Sequence, residues 1–463
     1  MPAPPSIDRQ TFLTYLRQSG LVENQDVDDL AKQYANISRT RTLARKLVED
    51  GILTRFQAER LLMGRTAGFQ LGQYRILEQI GRGGMGRVYR AEHRTMRRQV
   101  AIKVLAPELL STDRAIELFL HEVRAIAQVQ HPNIVTAYDA NELNGRYYLV
   151  LEFVDGPNLD QLVRQQGPLP VGLACDYIRQ AALGLQCAHQ LGMVHRDIKP
   201  ANLLVQLRGQ SDPTSPGLVK VSDFGLARLG QPQSDYHGLE PRSTIMTRDN
   251  TVMGTPDYLS PEQSRSLRKT DIRSDLYSLG CTFRFLLTGQ VPFPGGTALE
   301  KIIRHATEAP LPISAFRSDV PPEVEKIVTR LMAKHPDERF ATPSELVEAL
   351  RPYAVSSPTP WAKPVYSDEV LVDAPEANDV ELAALPNGSD PAQIADASND
   401  ELSVFNPTMP ALSMTVRPIS PSGIYHHRHD RTTYRRIQLA ILSATLFVGI
   451  LLGLALLAGL MNR

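Results

Sequence analysis

The sequence predicts an α+β fold, or a pair of lobes, in which strands come first and helices follow. Three observations predict it. Between residues 74 and 154, "YRILEQIG", "GRVYRAEH", "QVAIKVLA" and "RYYLVLEFV" carry the short apolar or alternating runs of strands. Further on, "LACDYIRQAALGLQCAHQLG" and "PPEVEKIVTRLMAK" space apolar residues three and four apart, as amphipathic helices do. The span from Tyr74 to about Leu350 is also long enough to bury a large core.

The flanks differ from this centre. Residues 1–70 read as a small helical module, because "TFLTYLRQSGLV" and "RTLARKLVEDGILTRFQAERLLMG" hold a helical apolar spacing, with Gly20, Gly51 and Gly64 where helices would end. It carries no evident chemistry and is expected to pack or dock. Residues 352–436 turn to Pro, Ser, Asn, Asp and Ala, with ten acidic and two basic residues between Pro352 and Tyr425, and are expected to be a disordered linker. Ile437 to Leu460 is 24 residues without a charge. As a helix it would be about 36 Å long, against a hydrocarbon core of about 30 Å, so it is expected to span a membrane once. Arg428, Arg431, Arg435 and Arg436 precede it and only Met461, Asn462 and Arg463 come after, which places the long N-terminal part in the cytoplasm, at the cytoplasmic membrane. The small residues of "GLALLAG" suit a homodimer contact. The neighbouring His426, His427 and His429 fit a polar juxtamembrane segment better than a metal site.

Composition narrows the classes. Fifty basic and fifty acidic side chains balance, so no nucleic-acid partner is expected. Cys175, Cys187 and Cys281 have no metal-ligand spacing and read as buried free thiols of a reducing compartment. "MPAPPSIDRQTF" has neither the basic start nor the apolar run of a secretory signal.

The chemistry lies in four stretches. In "GRGGMGRVY", Gly81, Gly83 and Gly86 fit G-x-G-x-x-G, but a strand rather than a helix comes next. That suits a hairpin whose glycine tip lies over phosphates, where backbone amides approach oxygen closely. In "VAIKVLA", Lys103 is a cation in an apolar strand, where charge is costly; alternation puts it on one face with Ala101 and Leu105. Glu122, in a helix among apolar neighbours, is its expected ion-pair partner. In "MVHRDIKPANLLV", His195, Arg196, Asp197, Lys199 and Asn202 crowd between apolar anchors, which fits either an ordinary charged surface loop or a loop held rigid because its charges act on something.

With these motifs in order, and with "DFG" and "SPEQ" after them, Tyr74 to about Leu350 resembles a bacterial eukaryotic-type (Hanks-type) Ser/Thr protein kinase, over about three-fifths of the chain. The resemblance implies a β-rich N-lobe, 74–151, and an α-helical C-lobe, 155–350, binding ATP with Mg²⁺ or Mn²⁺ and acting on protein substrates. It implies that Asp197 accepts the substrate hydroxyl's proton, Lys199 neutralises the γ-phosphate, and Lys103 with Glu122 orients the phosphates. Asn202 and Asp223 would hold the metal. Ile80, Gly81, Arg82, Gly83, Gly84, Met85 and Gly86 would form the flap. Val88 and Ala101 above and Leu204 below would enclose adenine. Glu152 and Val154 would offer backbone groups to the base, Leu151 would guard the back of the pocket, and Asp155 would reach the ribose.

The same resemblance implies that His195 packs on Phe224 and Ile126, that Glu262 pairs with Arg339, and that Asp275 caps the catalytic loop. Thr255 would bridge Asp197 and Lys199. Arg196 before Asp197 implies an activation segment controlled by phosphate, with Thr251, Thr247 and Thr244 as acceptors and Ser243 beside them. "QLRGQSDPTSPG" and "GQPQSDYHGLEPR" depart from the pattern as insertions, the first on a hairpin tip. Two rival readings are a scaffold without phosphotransfer, which the intact Lys103, Glu122, Asp197, Asn202 and Asp223 disfavour, and a small-molecule kinase, which "GTPDYLSPEQ" disfavours.

Overall fold

The computed structural model describes residues 7–207, 217–224, 256–265 and 270–354. The expected linker beyond residue 354 and the expected membrane span 437–460 lie outside them. Among the described residues no helix is long and apolar enough to cross a membrane.

Four helices open the chain: α1 (Arg9–Ser19), α2 (Asn24–Gln33), α3 (Thr40–Glu49) and α4 (Arg55–Leu62). Asp8 caps the start of α1 by accepting the Thr11 N–H, and Gly20, in a left-handed conformation, ends it. The apolar pattern from Arg41 to Gly64 forms two helices that part near Gly51, as expected, and Thr54 caps the new start at α4. Helix α2, which was not among the expected elements, buries Val27 and packs Leu30 and Ala31 on the same core. The module has its own core, built on Phe12, Leu16, Leu43, Leu47 and Leu61.

A six-stranded antiparallel sheet comes next: β1 (Gln70–Leu71), β2 (Tyr74–Gly83), β3 (Gly86–His93), β4 (Gln99–Leu105), β5 (Ala137–Leu143) and β6 (Arg146–Glu152), in the order β1-β2-β3-β4-β6-β5. The four expected strands are β2, β3, β4 and β6. The two unanticipated ones sit at the sheet edges, where β1 has two residues and β5, "AYDANEL", is polar and mostly uncovered. Helix α5 (Asp113–Ala127) lies between β4 and β5.

The sheet separates two apolar layers. Ile76, Tyr89, Ala91, Ile102 and Val104 fill the outer one, with Phe56 of α4 against them. Ala101, Leu105, Phe119, Leu149 and Leu151 fill the inner one. Alternation along β4 therefore places Ala101 and Leu105 inward, as expected. The helical module rests, through α4, on the outer face of the sheet.

The second lobe is helical, with α6 (Leu159–Gln166), α7 (Val171–Gln190), α8 (Pro261–Arg265), α9 (Ile272–Thr288), α10 (Ala298–Thr307), α11 (Pro322–Leu331) and α12 (Pro343–Leu350). Helices α7 and α9 form its centre, and most of their residues are buried, polar ones such as Asp176 and Asp275 included. Cys175 and Cys281 are buried free thiols within it, and burial pushes the Cys175 thiol up to about 12. A two-stranded hairpin, β7 (Leu203–Gln206) with β8 (Leu218–Val221), lies on the side of the lobe that carries the charged loop.

Candidate active site

The hairpin explains how distant residues meet. Leu203 pairs with Val221 in antiparallel register, so the loop entering β7 and the segment leaving β8 emerge side by side. The first carries Asp197, Lys199 and Asn202; the second carries Asp223. The last pair is Gln206 with Leu218, and residues 208–216 of the expected "QLRGQSDPTSPG" insertion lie outside the described residues.

The loop's polar groups hold one another. Lys199 Nζ lies 2.8 Å from Asp197 Oδ2. Asn202 Nδ2 donates to the Asp197 carbonyl at 2.8 Å and to Asp197 Oδ2 at 3.1 Å. Ser222 donates its N–H and its hydroxyl to the Asn202 carbonyl at 2.9 and 3.1 Å, joining the loop to the approach to Asp223. His195 is fully buried; its Nε2 is 2.7 Å from the Ser222 carbonyl and its ring meets Phe224 edge-on at 4.6 Å. The expected packing of His195 on Phe224 is present, and Phe224 and Ile126 belong to one apolar core. Arg196 and Asp223 both have positive φ, 68° and 64°. Side chains disfavour this region, and it persists only where the surroundings over-determine it.

Those surroundings are visible. Asp275, buried on α9, accepts the backbone N–H groups of His195 and Arg196, each at 2.7 Å, and so caps the loop as expected. Burial holds its carboxyl above the usual range, against the pull of His195 and Arg196. Gln263 Nε2 donates to the Arg196 carbonyl at 2.8 Å, a support that sequence reasoning missed. Glu262 and Arg339 form the expected ion pair, two-pronged at 2.6 and 2.9 Å, with Ser274 adding a third bond to Glu262 at 2.6 Å.

One expectation needs correction. Lys103 Nζ pairs with Asp223 Oδ1 at 2.8 Å, not with Glu122. Glu122 is buried on α5 and has a partner of its own. Asp223 reaches the ammonium from the mouth of the β7–β8 hairpin. Burial alone would raise the Asp223 carboxyl. Lys103, by charge and hydrogen bond, with His195 and Lys199, more than offsets this and holds it below its ordinary value.

The residues expected to face a nucleotide also meet. Ala101, Leu151 and Val154 belong to the inner apolar layer, with Val88 and, from the second lobe, Leu204 packed on them. The flap is a hairpin tip in which Gly83 pairs with Gly86. Ile80, Arg82, Gly83 and Gly84 are exposed, whereas Gly81 and Met85 are half-buried. A side chain on Gly83 or Gly84 would meet nothing within 4 Å, which leaves their backbone open to a ligand. Gly86 differs. Its φ is 130°, and an added Cβ would lie 2.0 Å from the Val104 carbonyl of β4. Gly86→Ala is therefore expected to lower the thermal midpoint as well as nucleotide affinity, while Gly84→Ala lowers at most the latter; calorimetric unfolding separates them.

Glu152 does more than was expected of it. Its side chain pairs with Lys220 of β8 at 3.0 Å and accepts the Thr136 N–H at 3.3 Å, tying the end of β6 to the second lobe. Lys220 in "LVKV" carries the same signal as Lys103, a cation in an apolar strand, and that signal could have found this pair. Asp155 is exposed at the crossing between the lobes. The expected phosphate acceptors Ser243, Thr244, Thr247 and Thr251, and the bridging Thr255, lie outside the described residues.

The residues present fit a divalent cation of the hard-oxygen class. Asn202 turns its nitrogen to Asp197, which leaves Oδ1 as its free oxygen, and Asp223 gives Oδ1 to Lys103, which leaves Oδ2. One amide oxygen and one carboxylate, without a full cage, is what Mg²⁺ or Mn²⁺ shared with phosphate oxygens requires.

The protein kinase domain family matches residues 74–350. A probable serine/threonine-protein kinase of Clostridium perfringens is 33% identical over 286 residues, covering 62% of this chain and 38% of that protein. A probable serine/threonine-protein kinase PknB of Lactococcus lactis is 38% identical over 276 residues, covering 59% and 41%. The serine/threonine-protein kinase PknB of Mycolicibacterium smegmatis is 34% identical over 340 residues, covering 72% and 49%. The chain spans less than half the length of each of these curated relatives, at 38%, 41% and 49%.

Proposed function

The chain belongs to the protein kinase family, and from that membership we propose that it transfers the γ-phosphate of ATP to serine and threonine hydroxyls of proteins. The observation that carries the reading is convergence: Asp197, Lys199, Asn202 and the Lys103–Asp223 pair meet at the mouth of one hairpin. The substrate oxygen attacks the γ-phosphorus in line, the bond from that phosphorus to the bridging oxygen of ADP breaks, and the hydroxyl proton passes to Asp197. Lys199, 2.8 Å from that carboxylate, stands where charge builds on the transferred group. Lys103 holds the phosphates from the inner face of the sheet. Asn202 and Asp223 would hold Mg²⁺, which when bound would supply neutralising charge to the phosphate oxygens. The rest is positioning and electrostatic stabilisation by groups already fixed.

Control belongs to the same reading. Arg196 next to Asp197 favours activation by a phosphate on Thr251, Thr247 or Thr244, placed there by the enzyme itself. The uncharged run 437–460 supports a single membrane tether with the catalytic part in the cytoplasm, and "GLALLAG" within it supports pairing of two copies.

The test is direct. Purified chain with labelled ATP, Mg²⁺ and a mixed protein substrate is expected to yield phosphoserine and phosphothreonine, and Lys103→Met is expected to yield neither. Equal turnover by the two proteins would sink the reading in favour of a scaffold. Mass spectrometry of the incubated enzyme is expected to find phosphate between Asp223 and Glu262; phosphate only elsewhere refutes the self-activation.

A further inference from the structure

We infer that Gln57, together with Thr54, is a positioning residue for the glycine flap, so that the docked helical module sets how tightly nucleotide is held; this rests on the kinase reading above. Strand β2 breaks register with β3 twice. Ile76 pairs with Ala91 and Glu78 with Arg90, which leaves Leu77 as an extra residue. The second break falls at Ile80, between Gln79 and Gly81, where the flap begins. A bulge bends its strand, re-aims the residues beyond it and leaves its extra residue outside the ladder.

Helix α4 grips the strand at the first break. Thr54 Oγ1 donates to the Leu77 carbonyl at 2.5 Å, and Gln57 Nε2 donates to the Ile76 carbonyl at 2.7 Å. The same two residues build the helix cap: the Gln57 N–H donates to Thr54 Oγ1 at 3.2 Å, and the Thr54 N–H donates to Gln57 Oε1 at 2.9 Å. One fully buried amide thus joins the rigid start of a helix to the strand that carries the flap. Phe56, between them in sequence, packs on Tyr89, the β3 partner of Gln79, with ring centroids 6.5 Å apart. The guanidinium of Arg60, one turn along α4, lies over the Phe56 ring, 5.4 Å from its centre.

The consequence is selective. The grip acts on the base of the flap, whereas Asp197, Lys199 and Asn202 belong to the other lobe. Loosening the base gives the flap orientations that must be given up on binding, which costs affinity through lost preorganisation. It leaves the transferring groups where they are.

Gln57→Met keeps the length and apolar bulk of the side chain but removes both bonds. Thr54→Val removes the hydroxyl donor at constant shape, and Thr54→Ser restores it. In the full chain, Gln57→Met and Thr54→Val are each expected to raise KM for ATP by about three- to ten-fold, the worth of one hydrogen bond, with kcat held and Thr54→Ser at the unsubstituted value. The Kd for Mg·ADP, from titration calorimetry, is expected to rise in parallel. Unchanged KM and Kd in both variants would overturn the inference, as would a fall in kcat with KM unchanged. If Gln57→Met does not fold, the Thr54→Val and Thr54→Ser pair decides alone. A chain that binds Mg·ADP but transfers no phosphate would end the kinase reading, and the Kd comparison would still judge the grip.

Discussion

Asp197→Asn lowers kcat by about 10²- to 10⁴-fold, the usual contribution of a positioned base, while the chain folds and still binds Mg·ATP. The carboxylate accepts from Lys199 at 2.8 Å and Asn202 at 3.1 Å, both through Oδ2. Asparagine keeps the shape and one acceptor oxygen. It loses the negative charge that draws the hydroxyl proton and that holds Lys199 in place. Of the groups proposed to hold metal and phosphate, Asp223 and Lys103 bond each other and are untouched, and Asn202 keeps its bond to the backbone carbonyl of residue 197. A rapid-quench measurement of phosphoryl transfer beside equilibrium binding of nucleotide checks both halves. Full activity in Asp197→Asn would remove this residue from the reaction.

Glu262→Gln destabilises the second lobe by about 3–5 kcal/mol, because it leaves a buried guanidinium without its counter-charge. The Arg339 side chain has no exposed surface, and it also donates to the carbonyls of Ala333, Arg273 and Lys334. The pH dependence comes from the same pair. Burial raises the Glu262 carboxyl, but the bonds and charge of Arg339 and the Ser274 hydroxyl more than offset it, so the folded group sits below its unfolded value. Its stabilisation is present in full above the unfolded glutamate range and is lost as pH falls through the folded pKa. Urea unfolding of the two proteins is expected to differ most at neutral pH, with the gap closing in acid. A gap independent of pH would mean that the charge contributes nothing.

Much of the site was legible because short-range chemistry fixed it. Asp197, Lys199 and Asn202 sit within six positions, so any turn that folds there brings them together. Lys103 stood out because an ammonium in an apolar strand needs a reason. Other features depend on how separate elements settle against each other, and these were not legible. The choice between Glu122 and Asp223 for Lys103 turns on the placement of α5, which periodicity does not encode. Gln263 reaches the Arg196 carbonyl across 67 positions, with nothing local to mark it. Strand β5 is polar because it is an edge, and edges lack the pattern that identifies strands. The spacing of Thr54 and Gln57 matches a capping box and marks the start of α4. It carries no hint of the strand that the helix grips.

The covering of the sheet's outer layer by Phe56 bears on where this catalytic unit can be cut. Family resemblance begins at Tyr74, yet Leu71, just upstream, is fully buried in that layer and β1 closes the sheet's edge. A fragment starting at Tyr74 would bare Tyr89 and its apolar neighbours to water, a recipe for self-association. Comparative boundaries and folding boundaries thus part company here by some twenty residues (54 to 73), and a soluble catalytic fragment begins before α4.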